Sequence, residues 1–288
     1  MKGIAAAFLL LSGCGPEFSV PQYMQDLPRS EEESLRIIGE IRRELGDATR
    51  VEQVEEYFFV ASNDTERSFR ECKGTIARVY RYLYADYFKK KPAKPIRVYL
   101  FKDRPTYDEY HQATYQKPPS TPFGFYMSGE RKMVMNISTG TGTLAHELVH
   151  PLLAEDFPEV PSWFNEGFAS LYEQSGERNG KMTGFVNWRL PGLHKALKSG
   201  KAVSFRDLLG FSASQFYGEE RGVNYATARY LCLYLQEHGQ LIRFYPEFRA
   251  GRKDDRTGAA ALEKVTGKKI EALEAAWREW VLELRYNE

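Results

Sequence analysis

Two histidines one helical turn apart, in the stretch His146-Glu-Leu-Val-His150, constrain this chain more than any other feature of its sequence. On a helix, residues four apart lie on the same face, so both imidazoles can point at one location. Glu147 is offset by roughly 100° around the helix axis. Its carboxylate can therefore reach beside that location rather than onto it.

This spacing suits a metal ion with a catalytic carboxylate next to it. Neutral imidazole binds zinc well, and a catalytic zinc ion takes three protein ligands and keeps one position open for water. Zinc lowers the pKa of that water, and a nearby glutamate can accept its proton. The alternative is an ordinary helix face with two incidental histidines. A third ligand is needed to decide between the two interpretations.

A second segment, Trp163-Phe-Asn-Glu-Gly167, offers that third ligand. Glu166 follows His150 by sixteen residues and lies on the next predicted helix. The small residues Gly167 and Ala169 stand close to it in sequence, and we expect them to let this helix approach the first one closely. The large apolar residues form the core face of the helix: Trp163, Phe164, Phe168 and Leu171.

Together the two segments resemble the gluzincin class of zinc metallopeptidases, which contains the thermolysin and aminopeptidase N families. The resemblance covers roughly residues 50–175 and implies a minimal gluzincin catalytic core. It implies zinc as the cofactor and His146, His150 and Glu166 as its ligands. Glu147 would then activate the water and pass its proton to the leaving amine.

The resemblance also implies an edge strand for substrate and a donor for the oxyanion. The segment 131–138 occupies the place of the edge strand, so a peptide substrate would pair beside Val134, Met135 and Asn136; the alternative is a buried core strand. Tyr225, just past Asn224 at a predicted helix start, is the candidate donor because it lies on the polar side of that helix. Its alternative is a packing role.

Two positions depart from the gluzincin pattern. Pro151 follows His150 directly and should kink or end the helix just past the second histidine. Ser170 stands four residues after Glu166, where thermolysin-like enzymes place an acid behind a ligand histidine. The partners of the zinc ligands are therefore not identified by the sequence. His111, His194 and His238 lie outside any ligand spacing, and we assign them surface or capping roles.

The N-terminus has the layout of a secretory signal: one early lysine, a short apolar run and small residues. Its end, Leu11-Ser-Gly-Cys14, resembles the lipobox of bacterial lipoproteins, which implies lipidation of Cys14 and anchoring to a membrane. Gly15 follows, as in lipoproteins sorted to the outer membrane of Gram-negative cells, so we expect an exported protein facing the periplasm. The alternative is a plain secretory signal. Of the remaining cysteines, Cys72 and Cys232 sit in apolar helical patterns and favour buried thiols over a disulfide.

The order of predicted elements gives an α+β fold, with strands in the first half and helices in the second. We predict a signal peptide at 1–13, a tether at 14–30, a zincin-like catalytic domain with a small mixed sheet and an active-site helix at 31–179, and a helical subdomain at 180–288. No linker separates the last two, so they should pack together. The formal net charge is +1, which gives no general attraction to nucleic acid.

The sequence thus predicts a zinc-dependent peptidase, a hydrolase held to a membrane by lipid, with a peptide or protein as substrate. One alternative keeps the zinc and acts on cell-wall peptides as an amidase or endopeptidase. Another is a zinc scaffold without catalysis, which Glu147 argues against. The oligomeric state, the physiological substrate and exo- versus endo-cleavage do not follow from the residues.

Overall fold

A five-stranded mixed sheet organises the first half of the chain. The computed structural model describes residues 30–286. The strands are β1 (Arg50–Val54), β2 (Phe58–Ser62), β3 (Ile96–Phe101), β4 (Gly124–Met127) and β5 (Lys132–Asn136). They lie in the order β1-β2-β3-β5-β4, with β2, β3 and β5 parallel and the two outer strands antiparallel to their neighbours. The predicted α+β class is confirmed.

Four helices are interleaved with these strands: α1 (Glu31–Leu45), α2 (Glu66–Asp86), α3 (Arg104–Tyr115) and α4 (Thr141–Asp156). Three of them begin at a side-chain cap, in which Ser30, Thr65 or Asp103 accepts a hydrogen bond from a backbone N–H of the first turn. α1 ends at Gly46, whose φ of 97° favours glycine.

The two faces of the sheet carry different apolar clusters because side chains alternate along a strand. Along β5, Met133 and Met135 join the larger core with α2 and α4, whereas Val134 joins a smaller cluster with α1 and α3. α4 packs on β4 at the edge of the sheet. This packing sets the predicted metal helix against the sheet.

The second half of the described chain is mainly helical. Its helices are α5 (Ser162–Leu171), α6 (Leu190–Lys198), α7 (Phe205–Gly210), α8 (Ala213–Phe216), α9 (Arg221–Glu237), α10 (Leu241–Gly251), α11 (Ala259–Thr266) and α12 (Ile270–Glu283). A hairpin of β6 (Ser175–Arg178) and β7 (Lys181–Gly184) follows α5. The predicted domain boundary at 179/180 falls in the turn of this hairpin, and one apolar core contains residues on both sides of it.

The strand assigned to substrate lies inside the sheet. β5 pairs with β3 on one side and β4 on the other, and all five of its residues are buried. The prediction that residues 131–138 form the sheet edge is therefore wrong. Within residues 30–286 the edge strand next to α4 is β4. The chain forms this outer strand first and then turns back, so that β5 lies between β4 and β3.

Three further expectations have structural outcomes. α4 continues through Pro151 to Asp156, so the proline does not end the helix, although it leaves the Glu147 carbonyl without the usual N–H partner. Cys72 and Cys232 are buried and unpaired. The predicted signal peptide at 1–13 and Cys14 lie outside the described residues, and between residues 30 and 286 no helix is long and apolar enough to cross a membrane.

Candidate metal centre

α4 and α5 bring two histidines and a glutamate to one point. The Nε2 atom of His146 lies 3.4 Å from Oε2 of Glu166, and Nε2 of His150 lies 3.8 Å from the same oxygen. One ligand atom from each of the three residues lies within 4.8 Å of the other two. The spacing of the histidines and the close packing of α5 produce this convergence together.

The arrangement could hold a metal ion. Zinc with ligands at about 2.0–2.1 Å places neighbouring ligand atoms roughly 3.3 Å apart. The side chain of Glu166 is 7% exposed, and its Oε2 has no hydrogen-bond partner. A buried, unpartnered carboxylate oxygen is costly unless a cation or a donor meets it. His146, His150 and Glu166 are thus the residues that could hold the metal.

Neighbouring side chains fix the orientation of two of these groups. The Tyr217 hydroxyl donates to Oε1 of Glu166 at 2.7 Å, which leaves Oε2 facing the histidines. Nδ1 of His150 lies 3.1 Å from Oδ1 of Asn165, so this ring nitrogen can donate while Nε2 keeps its lone pair. Tyr217 and Asn165 therefore orient Glu166 and His150 toward the shared point.

Glu173 supplies the acid behind His146. Its Oε1 lies 3.2 Å from Nδ1 of His146. This distance is that of an ion pair, but the two groups do not have the angles of a hydrogen bond. Arg189 holds the same carboxylate through two N–H groups at 2.7 and 3.0 Å, and Asn187 donates to it at 3.2 Å. Ser170 is fully buried and its hydroxyl has no partner, so it does not take this role.

Two glycines allow the backbones around the centre to approach closely. A Cβ on Gly142, in the first turn of α4, would overlap the carbonyl oxygen of Glu173. A Cβ on Gly167 would lie 2.7 Å from the carbonyl oxygen of Ala228 in α9. The expectation that Gly167 faces the first helix is wrong, because the glycine serves the α5–α9 contact instead. Gly142 serves the contact with Glu173.

The charges of the buried groups depend on one another. Burial alone would lower the pKa of His146, but contacts with Glu166 and Glu173 outweigh burial and raise that pKa to about 10. Burial alone would raise the pKa of Glu166, but the contact with His146 and the nearby His150 hold it well below its usual range. The two carboxylates thus favour a positive charge between them, which a proton or a metal ion can supply.

Glu147 differs from the other acids of the centre. It is partly buried and lines the cleft beside His146 and His150. Burial raises its pKa, the two histidines lower it, and Glu166 and Glu173 add to the increase, so the net shift is upward. A carboxylate with a raised pKa beside a metal site can accept a proton and return it more readily than an ordinary glutamate.

A cleft of about 740 Å³ opens beside the centre. Tyr225 lines it together with Glu147 and Glu173, and the guanidinium of Arg189 lies 5.3 Å from the Tyr225 ring. The structure thus brings the predicted oxyanion donor into the site. From the sheet, Gly124, Phe125 and Tyr126 of β4 line the space at the centre.

The substrate assignment of Val134, Met135 and Asn136 is contradicted, because these residues are buried in β5, between β3 and β4. Val134 and Met135 pack into opposite apolar clusters, and the Asn136 amide donates to the carbonyl of Pro122. Both edges of their strand already carry ladder hydrogen bonds. The error arose because the sequence does not show which strand of a hairpin pairs with the rest of a sheet.

The other three histidines each contact a backbone carbonyl. His111 contacts Lys117, His194 contacts Val281 and His238 contacts Tyr234, at 2.6–2.8 Å. His111 is buried, so a surface role is wrong for it. None of the three joins a cluster that could hold a metal among the described residues.

Sequence reasoning missed five residues of the centre: Asn165, Glu173, Asn187, Arg189 and Tyr217. A signal existed for Glu173, which follows Glu166 by seven residues, about two helical turns. No local pattern marks Asn187, Arg189 or Tyr217, because they come from later segments. No protein-family model matches this chain, and no curated protein sequence matches it.

Proposed function

We propose that this protein is a zinc-dependent peptidase that hydrolyses peptide bonds. The observation that carries the proposal is the convergence of His146 Nε2, His150 Nε2 and the unpartnered Glu166 Oε2, with Glu147 beside them on the open side. A site that only holds a structural metal is normally closed by a fourth protein ligand. Here the fourth side faces the cleft.

Zinc in such a site supplies Lewis acidity toward a carbonyl oxygen and lowers the pKa of a water molecule. Glu147 would take a proton from the attacking water and return it to the leaving amine nitrogen, so that no net proton is consumed by the side chain. Tyr225 would donate its hydroxyl to the oxygen on which negative charge develops. The edge of β4 would hold the peptide in an extended conformation.

The experiment compares zinc content and cleavage in three forms of the full chain: wild type, Glu147→Gln and Glu166→Ala. We expect about one zinc ion per chain in wild type and in Glu147→Gln, and loss of zinc in Glu166→Ala. Cleavage of an unbiased peptide mixture should occur only in wild type, with Glu147→Gln reduced by at least about 100-fold. Product termini read by mass spectrometry would report the bond that is cut.

Two results would contradict the proposal. Cleavage by Glu147→Gln at the wild-type rate would remove Glu147 from the chemistry. Zinc in wild type without cleavage of peptides, including cell-wall peptides, would favour a scaffold. Arg243→Gln is the control variant, since Arg243 of α10 is exposed and does not line the cleft.

We also propose export and lipid attachment at Cys14, on the basis of the lipobox-like residues 11–14. Cells that express the chain should incorporate labelled palmitate into it, and Cys14→Ser should abolish the label. Fractionation of a Gram-negative host should then find wild type with the outer membrane. Label that persists in Cys14→Ser would contradict attachment at this residue.

A further inference from the structure

The cleft beside the centre carries one positive charge without a counter-ion. Arg221, the first residue of α9, is exposed and lines the cleft with Tyr225. Its guanidinium forms no ion pair or hydrogen bond with any residue between 30 and 286. Glu219 and Glu220 precede it in sequence but do not line the cleft. Its charge is therefore available to a bound molecule.

The other charges around the cleft are balanced within the protein. Arg189 is bound by the Glu173 carboxylate through two N–H groups. A divalent cation held by Glu166 and the two histidines would be balanced by the carboxylates of Glu147 and Glu166. Arg221 is thus the charge that remains when the site is loaded, and it attracts an anionic group.

Three exposed aromatic side chains form part of the surrounding walls. Phe123, Trp188 and Tyr217 are 49%, 51% and 42% exposed, and all three line this cleft. They come from the segment before β4, the loop after β7 and the segment before α9. Exposed aromatic rings from three separate segments favour an apolar part of a bound chain, held beside the charge.

Position along α9 relates Arg221 to the reacting centre. Arg221 and Tyr225 are four residues apart and share a face of the helix, with about 6 Å of rise between them. An extended peptide advances about 3.3 Å per residue. If the reacting carbonyl of a peptide lies at Tyr225, the peptide group that contacts Arg221 is therefore within about three residues of the cleaved bond.

We propose that the cleft selects peptides with a carboxylate that binds Arg221 and with an apolar side chain that packs on the aromatic walls. This inference rests on the proposed peptidase function and names its substrate class. The carboxylate belongs to an acidic side chain or to a free C-terminus. Guanidinium recognises either one by the same charge-assisted hydrogen bonds.

The test measures binding and does not depend on cleavage. The zinc-loaded full chain carrying Glu147→Gln is used to select from a random peptide library, and the same is done with Arg221→Gln, Arg221→Glu and Arg243→Gln added. Arg243 is a matched control because it is exposed and lies outside the cleft. We expect acidic peptides from the parent and from Arg243→Gln. Arg221→Gln should weaken the binding of these acidic peptides by about tenfold or more. Arg221→Glu should select basic peptides instead.

Synthetic versions of the selected peptides separate the two sources of carboxylate. A C-terminal amide in place of the acid tests the terminus, and Gln in place of Glu tests the side chain; the one that removes binding identifies the source. Retention of the acidic preference in Arg221→Glu, selected peptides without any charge preference, or no selected peptide at all would each overturn the inference. The cleavage assay with the wild-type chain tests the peptidase proposal separately.

Discussion

Two polar clusters lie on opposite sides of the five-stranded sheet, and they differ in how their charges are matched. In the first, Glu44 of α1 accepts hydrogen bonds from Tyr99 at 2.6 Å, Tyr110 at 2.7 Å and Lys132 at 2.8 Å. Both carboxylate oxygens have donors, and the charges of Glu44 and Lys132 cancel. In the second, Glu166 Oε2 has no donor and faces two histidine nitrogens.

The difference in hydrogen-bond donors distinguishes a structural cluster from a binding site. A cluster whose carboxylate already pairs with a cation gains little from an added ion, because its charge is already balanced. A cluster whose acceptors converge without a donor is stabilised by a cation. Four predictions test this contrast, from the largest expected effect to the smallest.

The largest effect should come from zinc itself. Zinc at 1,000 times its dissociation constant should stabilise the wild-type fold by about 4 kcal/mol, because the metal binds the folded chain. Glu166→Ala should lose most of this gain. Glu44→Gln should keep it in full, since Glu44 lies on the opposite side of the sheet from the histidines and already pairs with Lys132. Urea unfolding with and without zinc measures the gain, and equal gains in wild type and Glu166→Ala would contradict the contrast.

Glu173→Gln should weaken zinc binding by about 10- to 100-fold, as expected for a group that orients a ligand histidine. The variant keeps the shape of the side chain but loses the charge beside His146 Nδ1. Competition with a chromophoric chelator measures the affinity, and the absorption spectrum of the cobalt-substituted protein reports ligand geometry. The control is Glu177→Gln, an exposed acid two residues into β6. Unchanged affinity would remove Glu173 from the centre.

Gly142→Ala should destabilise the fold by about 1–3 kcal/mol, because the added methyl overlaps the Glu173 carbonyl. Zinc affinity should fall as well, since the displaced segment carries the Glu173 carboxylate. The matched control is Gly74→Ala in α2, where a Cβ meets nothing within 4 Å. That change should stabilise the helix by about 0.5–1 kcal/mol. A stable Gly142→Ala protein with full zinc affinity would contradict the close approach.

The smallest effect concerns Glu44 and depends on pH. Burial would raise the pKa of Glu44, but the hydrogen bonds from Lys132, Tyr99 and Tyr110 outweigh burial and lower it. Its contribution to stability is therefore complete above the unfolded pKa and is lost as pH falls through the lower folded pKa. Glu44→Gln should cost about 1–2 kcal/mol at pH 7.

The difference in free energy of unfolding between Glu44→Gln and wild type should become smaller as pH falls below about 4.5. Urea unfolding at a series of pH values measures it, in chelator so that zinc does not contribute. A difference that stays constant down to pH 3, or that grows, would show that the Glu44 charge is not stabilised in the folded state.

Local patterns in the sequence were sufficient for most elements of the fold. Helix α1 is delimited by Ser30 and Gly46, and the β4–β5 hairpin by the turn between two apolar runs. The β6–β7 hairpin was not predicted, although Asn179-Gly180 is a strong signal for a two-residue turn and both residues have positive φ.

Strand order could not be read in the same way. The apolar run Met133–Met135 in β5 indicates that both faces of the strand are buried, but an inner strand and an edge strand covered by a helix give similar patterns. The order β3-β5-β4 follows from where the hairpin docks, which depends on contacts with β3 and α4. This is why substrate was assigned to Val134–Asn136 rather than to β4.

The sequence by itself determined the three groups that converge at the centre and the glutamate beside them. A helix has a fixed period, so His146, Glu147 and His150 are placed by their spacing, and Glu166 follows on the next helix. Tertiary structure alone decided what surrounds them. Arg189 and Tyr217 reach the centre across more than 15 and 50 residues of chain, respectively, from Glu173 and Glu166. Contacts between such distant segments depend on how whole helices pack, and no local pattern encodes them.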